Sequence, residues 1–103
     1  NTEWLAYADE ADLLNVALFD CTAKAWRDAN PDLARTSNIR DYASIAELTV
    51  LSNLETHNAE LIKSGMGKEE RFKALSQIAQ YQLQVLAEAE KIKELPPPKA
   101  EEK

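Results

Sequence analysis

The stretch SIAELTVLSNLETHNAELIKS (44–64), followed by GMG (65–67) and KEERFKALSQIAQYQLQVLAEAEKIKEL (68–95), decides the fold. Both long segments repeat apolar residues at helical spacing, and neither contains a proline. Only three residues separate them, two of them glycine, so the helices are expected to fold back as an antiparallel hairpin. Ser44-Ile45-Ala46-Glu47 matches the S-x-x-E capping box that opens a helix. The stripe of the first arm is Ile45, Leu48, Leu51, Leu54, Leu61 and Ile62, interrupted by Asn58. Gly65 should end it as a left-handed cap, with Lys63 at the negative end of the dipole. The second arm opens on Glu69 and Glu70, and its stripe is Phe72, Leu75, Ile78, Ala79, Gln82, Val85, Leu86 and Ala89. A turn near Met66 sets Leu61 against Phe72, Leu54 near Ile78 and Leu48 near Val85.

The arms are unequal. At about 1.5 Å per residue they span about 30 and about 42 Å. Residues 88–95 (EAEKIKEL) therefore overhang the first arm, and must be solvated, covered by N-terminal helices or paired with another molecule. Pro96-Pro97-Pro98 stops the helix, and residues 96–103 read as a disordered tail.

Working toward the N-terminus, Ile39 and Tyr42 lead into the hairpin. Pro31 to Asn38 (PDLARTSN) reads as a polar loop pinned by Leu33. Pro31 ends a short helix over 23–30, capped by Thr22 and anchored by Trp26. A further helix over 10–19 is capped by Asp9, with Asp12 adding a second carboxylate at its positive end. Its run ADLLNVALF (11–19) is apolar on nearly every side, as in a buried helix. Asn1 to Ala8 reads as extended or irregular, with Trp4, Leu5 and Tyr7 packing on the elements after them. The expected fold is all-α: one domain over 1–95, with two short N-terminal helices packed on a long antiparallel hairpin.

With 103 residues, 45% hydrophobic and 29% charged, the chain can bury one core and fold without disulfide or metal. It begins at Asn1 rather than Met, which is expected of a piece of something longer or of a trimmed chain. No apolar run reaches the ~20 residues of a membrane span, and no signal-peptide pattern is present. A single cysteine, Cys21, fits a reducing cytoplasm.

The net charge of −6 is uneven: residues 1–50 hold nine acids and four bases, residues 51–103 nine and eight. A nucleic-acid grip needs a basic face, because phosphate neutralisation supplies most non-specific affinity. The nearest approach is Lys24, Arg27, Arg35 and Arg40, with Asp20, Asp28, Asp32 and Asp41 among them. Residues 9–40 can be read as a helix-turn-helix with 23–30 as recognition helix. That alternative lacks a turn glycine and turns Trp26 toward the core.

Catalytic and metal chemistry find little support. His57 and Glu60 share a helix face, but a di-metal carboxylate bundle needs more histidines than one. Cys21 and His57 are a remote nucleophile–base alternative, set against the usual role of free cysteine as buried packing. No metal, cofactor or catalytic residue is expected. Asn58 and Gln82 are polar residues in apolar stripes. They lie at the stripe's edge with local hydrogen bonds, or they fix register between helices or across a dimer.

Residues 7–33 (YADEADLLNVALFDCTAKAWRDANPDL), 38–43 (NIRDYA) and 51–62 (LSNLETHNAELI) together resemble the C-terminal region of KilA-N domain proteins. The similarity runs from about Tyr7 to Leu86. Asp20-Cys21 departs from the family's Gly-Met, and Ala34 to Ser37 is longer than its usual link. The resemblance implies a phage-derived or bacterial protein in which this domain accompanies a DNA-binding KilA-N domain, itself not in the chain. DNA would be bound by that upstream module. The chain itself is then expected to be a cytoplasmic, non-catalytic interaction or oligomerisation domain, with self-association or another protein domain as partner. Its interface candidates are Asn58, Gln82, Glu88, Ile92 and Leu95.

Overall fold

In the computed structural model the described residues are 3–93, with side chains through residue 89. Every regular element among them is helical. A 3₁₀ turn, Glu3–Ala6, leads into α1 (Glu10–Phe19) and α2 (Ala23–Ala29). Two further 3₁₀ turns, Leu33–Arg35 and Ile39–Tyr42, precede α3 (Ile45–Lys63) and α4 (Lys68–Lys93). The chain is all-α, with α3 and α4 packed against each other and α1 packed on both.

Local side-chain chemistry sets the helix starts. Asp9 accepts from the Asp12 N–H at 2.8 Å while Asp12 accepts from the Asp9 N–H, closing a capping box on α1. Ser44 and Glu47 form the same reciprocal pair on α3. Thr22 caps α2 by accepting from the Ala25 N–H at 3.0 Å.

The two C-termini differ. At the end of α3 the Met66 N–H donates to Leu61 O and the Gly65 N–H to Ile62 O, the paired bonds of a Schellman motif. Gly65 takes the left-handed conformation that this motif needs, at φ 85°. The chain leaves α1 through Asp20 at φ 64°, which is left-handed and not glycine.

The core lies where α1 crosses the hairpin. Leu13, Val50, Leu54 and Leu75 are fully buried, and Leu14, Leu18, Leu51 and Ala79 surround them. Burying each large aliphatic side chain is worth about 1.5–3 kcal/mol, so this junction holds the fold. The Glu3–Ala6 turn closes one end: Leu5 is buried, and the Trp4 ring meets Phe72 edge-on with centroids 5.0 Å apart.

The structure corrects several expectations for single residues. Residues 3–6 form a 3₁₀ turn rather than extended chain, and Tyr7 is 92% exposed instead of packed. The buried face of α3 runs through Val50, Leu51, Leu54 and Asn58. Ile45, Leu48 and Ile62 look outward, as does Val85 on α4. The reason is geometric: α1 covers a single face of the hairpin, narrower than the apolar content of α3 allows. Leu33 is 42% exposed, whereas Ile39 is buried. The polar loop is partly regular, its second 3₁₀ turn capped by an Asn38–Asp41 box. Short α2 sits at the edge, with no buried residue, and Trp26 rests on Tyr42 with centroids 5.7 Å apart. Leu95 and the 96–103 tail lie outside the described residues.

Candidate functional site

Asn58 resolves into a node inside the chain. It is buried, its Nδ2 donates to Glu10 Oε1 at 2.8 Å, and its Oδ1 accepts from Arg71 Nε at 3.1 Å. Arg71 Nη2 donates to Glu10 Oε2 at 2.7 Å, and Nη1 to the carbonyl of Met66 at 2.9 Å. One residue from each of α1, α3 and α4 thus meets in a satisfied triad, and the hairpin turn is bound to it. Asn58 therefore bridges α1 and α4 from α3, within one chain.

Apolar spacing singles out neither Glu10 nor Arg71. Arg71 stands one and two turns before Leu75 and Ala79, so helical spacing alone puts it on the buried face. Its charge in a first turn masks that signal. Nearby, Lys68 Nζ donates to Ala8 O at 2.6 Å and Leu5 O at 3.2 Å, strapping the N-terminal turn to the start of α4.

Gln82 lies on the other side of the hairpin, half-buried, where its Oε1 accepts from Asn53 Nδ2 at 3.0 Å. This pair forms part of an open groove of about 150 Å³ lined by Thr49, Asn53, Tyr81, Gln82, Val85 and Leu86. Ile45, one turn before Thr49, is 83% exposed, and Tyr81 and Val85 are 68% and 46% exposed. From Ala87 to Ala89 every side chain of α4 is exposed, Glu88 included. Ile92 is on α4 beyond the described side chains. With 19 and 26 residues, α3 and α4 are about 28 and 39 Å long at ~1.5 Å per residue, so α4 is the longer arm. The exposed Ile45, Tyr81 and Val85 fall outside the expected interface set.

The basic candidates are compensated rather than gathered. Lys24 pairs with Asp28 at 2.9 Å within α2, and Arg40 with Glu55 at 3.3 Å. The Lys24 hydrogen bond and charge hold the Asp28 carboxyl below its usual range. Arg27 and Arg35 are exposed. Cys21 is half-buried; burial foremost, then the Asp20 charge, pushes its thiol up. Little thiolate is present near neutral pH, the reverse of what a nucleophile needs. His57 and Glu60 both face solvent on α3. Among the described residues no group of three or more His, Cys, Asp or Glu could hold a metal ion. No described helix is long and apolar enough to cross a membrane.

A second recess lies at the N-terminal end. An open cavity of about 300 Å³ is lined by Trp4, Tyr7, Ala8, Asp12, Thr22 and Lys24. One of about 290 Å³ is lined by Trp4, Val16, Asp20, Cys21, Thr22 and Ala25. Trp4 and Thr22 belong to both, so the two adjoin as one groove between the N-terminal turn, α1 and α2.

The chain matches no family model, no curated protein and no solved structure. Its own surfaces are therefore the ground for a functional reading.

Proposed function

We propose that this module is a non-catalytic interaction domain that works through the uncovered face of its hairpin, as an oligomerisation surface or a dock for another protein domain. The exposure of Ile45, Tyr81 and Val85 beside the Asn53–Gln82 groove carries the reading. Scattered exposed apolar residues are ordinary, whereas several beside one groove resemble the patches that mark interaction sites. The overhanging end of α4 extends the same arm.

The wider context is an accessory domain beside an upstream KilA-N-type DNA-binding module, in a cytoplasmic regulator of phage or mobile-element origin. It is supported by the resemblance of residues 7–86. Direct nucleic-acid binding by residues 9–40 has less support, because Lys24 and Arg40 already answer to carboxylates.

Sedimentation velocity over a concentration series tests the hairpin reading. The wild-type chain is expected to self-associate, and Tyr81→Glu combined with Val85→Glu to return it to monomer with its helicity intact. A wild-type chain that stays strictly monomeric at high micromolar concentration removes self-association.

A further inference from the structure

We propose that the groove between the N-terminal turn, α1 and α2 docks a basic segment of a partner protein, one lysine or arginine beside an apolar side chain. The two adjoining cavities offer complementary chemistry. One end presents the rings of Trp4 and Tyr7 together with the Asp12 carboxylate. The other presents Val16, Cys21 and Ala25, with Asp20 at its wall. An aromatic face and a carboxylate together suit a cationic head; the aliphatic end suits the neighbouring side chain.

The walls are set before any ligand arrives. Trp4 is held edge-on against Phe72 at 5.0 Å, and Lys68 fixes the carbonyls of Leu5 and Ala8 on either side of Tyr7. Preorganisation of this kind lowers the ordering cost of binding. Tyr7, at 92% exposure, contributes no burial to the fold, so its ring is available to a partner. Asp12 uses Oδ2 to accept from the Asp9 N–H, and Oδ1 has no hydrogen bond among the described residues.

Charge selects the occupant. The first fifty residues carry nine acids against four bases. Lys24, the one base on the groove's described walls, is held by Asp28 at 2.9 Å. Phosphates and anionic surfaces are repelled by Asp12 and Asp20; a basic peptide is attracted.

The test is a titration of the full chain followed by the indole N–H signals of Trp4 and Trp26 in proton–nitrogen spectra. Trp26 rests on Tyr42 outside the groove and serves as the internal control. The probe is a blocked hexapeptide of alternating lysine and leucine, compared with glutamate–leucine and lysine–serine counterparts. A saturable shift at Trp4 alone is expected with the lysine–leucine peptide, weakened by added salt. Tyr7→Ser and Asp12→Asn should each weaken binding by about three- to tenfold. Both variants keep the fold: Tyr7 is exposed, and the amide oxygen that Asp12→Asn introduces can still accept from the Asp9 N–H. Val85→Glu leaves this binding unchanged, which separates the outcome from the self-association test. No saturable shift, equal binding of either counterpart, or indifference to both groove variants overturns the proposal.

Discussion

Arg71 places its guanidinium 2.7 Å from the carboxylate of Glu10, sixty-one residues away in sequence, while remaining 7% exposed. Glu10 itself is half in water, with 49% of its side chain accessible. The pair is therefore asymmetric. Removing the acid strands a buried cation and leaves the Asn58 amide without its acceptor. Glu10→Ala should cost about 2–3 kcal/mol, below the full range for breaking a buried pair because solvent screens the acid. Glu10→Gln keeps an acceptor and should cost about half as much. Urea unfolding reads both as a lower midpoint at unchanged slope. Equal losses in the two variants would assign the stabilisation to charge rather than hydrogen bonding.

The two left-handed helix ends respond in opposite directions to substitution. At Gly65, φ 85° is strained for any side chain although the space around it is open, so Gly65→Ala should destabilise by about 1–2 kcal/mol. At Asp20, φ 64° already carries that strain, and the acid also faces the negative end of the α1 dipole. Asp20→Gly should therefore stabilise by about 0.5–1 kcal/mol, as a rise in midpoint temperature. A loss of stability would mean that unfolded-chain entropy outweighs the relieved strain.

Cys21 gives a prediction in pH. Burial is the larger cause of its raised pKa and Asp20 the lesser. The folded state thus favours the neutral thiol. Its contribution to stability holds below the unfolded thiol's pKa and is lost as pH rises through the higher pKa of the folded state. Alkylation by iodoacetamide near pH 8 should be slower in the folded chain than in urea. Asp20→Asn should quicken it only modestly. A reaction faster in the folded chain would reverse the assignment.

Local chemistry was the most legible part of the chain. The Ser44–Glu47 box, the Asp9 and Thr22 caps and Gly65 each act over three or four residues, and each stands where residue type and spacing put it. The all-α hairpin followed from the same signals. Which face of α3 is buried did not, because that depends on how α1 arrives. Val50 in place of Ile45 and Leu48 is a statement about a helix thirty residues earlier. Arg71 was hidden for a related reason. A charged residue beside Glu69 and Glu70 reads as solvated until Glu10 and Asn58 are brought to it. The N-terminal groove needs Trp4, Thr22 and Phe72 in one place, and no local spacing announces that.

The strap from Lys68 to the carbonyls of Leu5 and Ala8 has a consequence for the order of assembly. These contacts close loops of 63 and 60 residues, whereas the hairpin closes across a short turn. Long loops impose the larger entropic barrier, so α3 and α4 should zip first and α1 with its N-terminal turn dock last. During synthesis the most apolar helix of the chain leaves the ribosome before either arm that will cover it. Leu13, Leu14 and Leu18 must wait, exposed, for residues 50–79 to emerge. In that interval the apolar side chains of α1 have no arm to cover them.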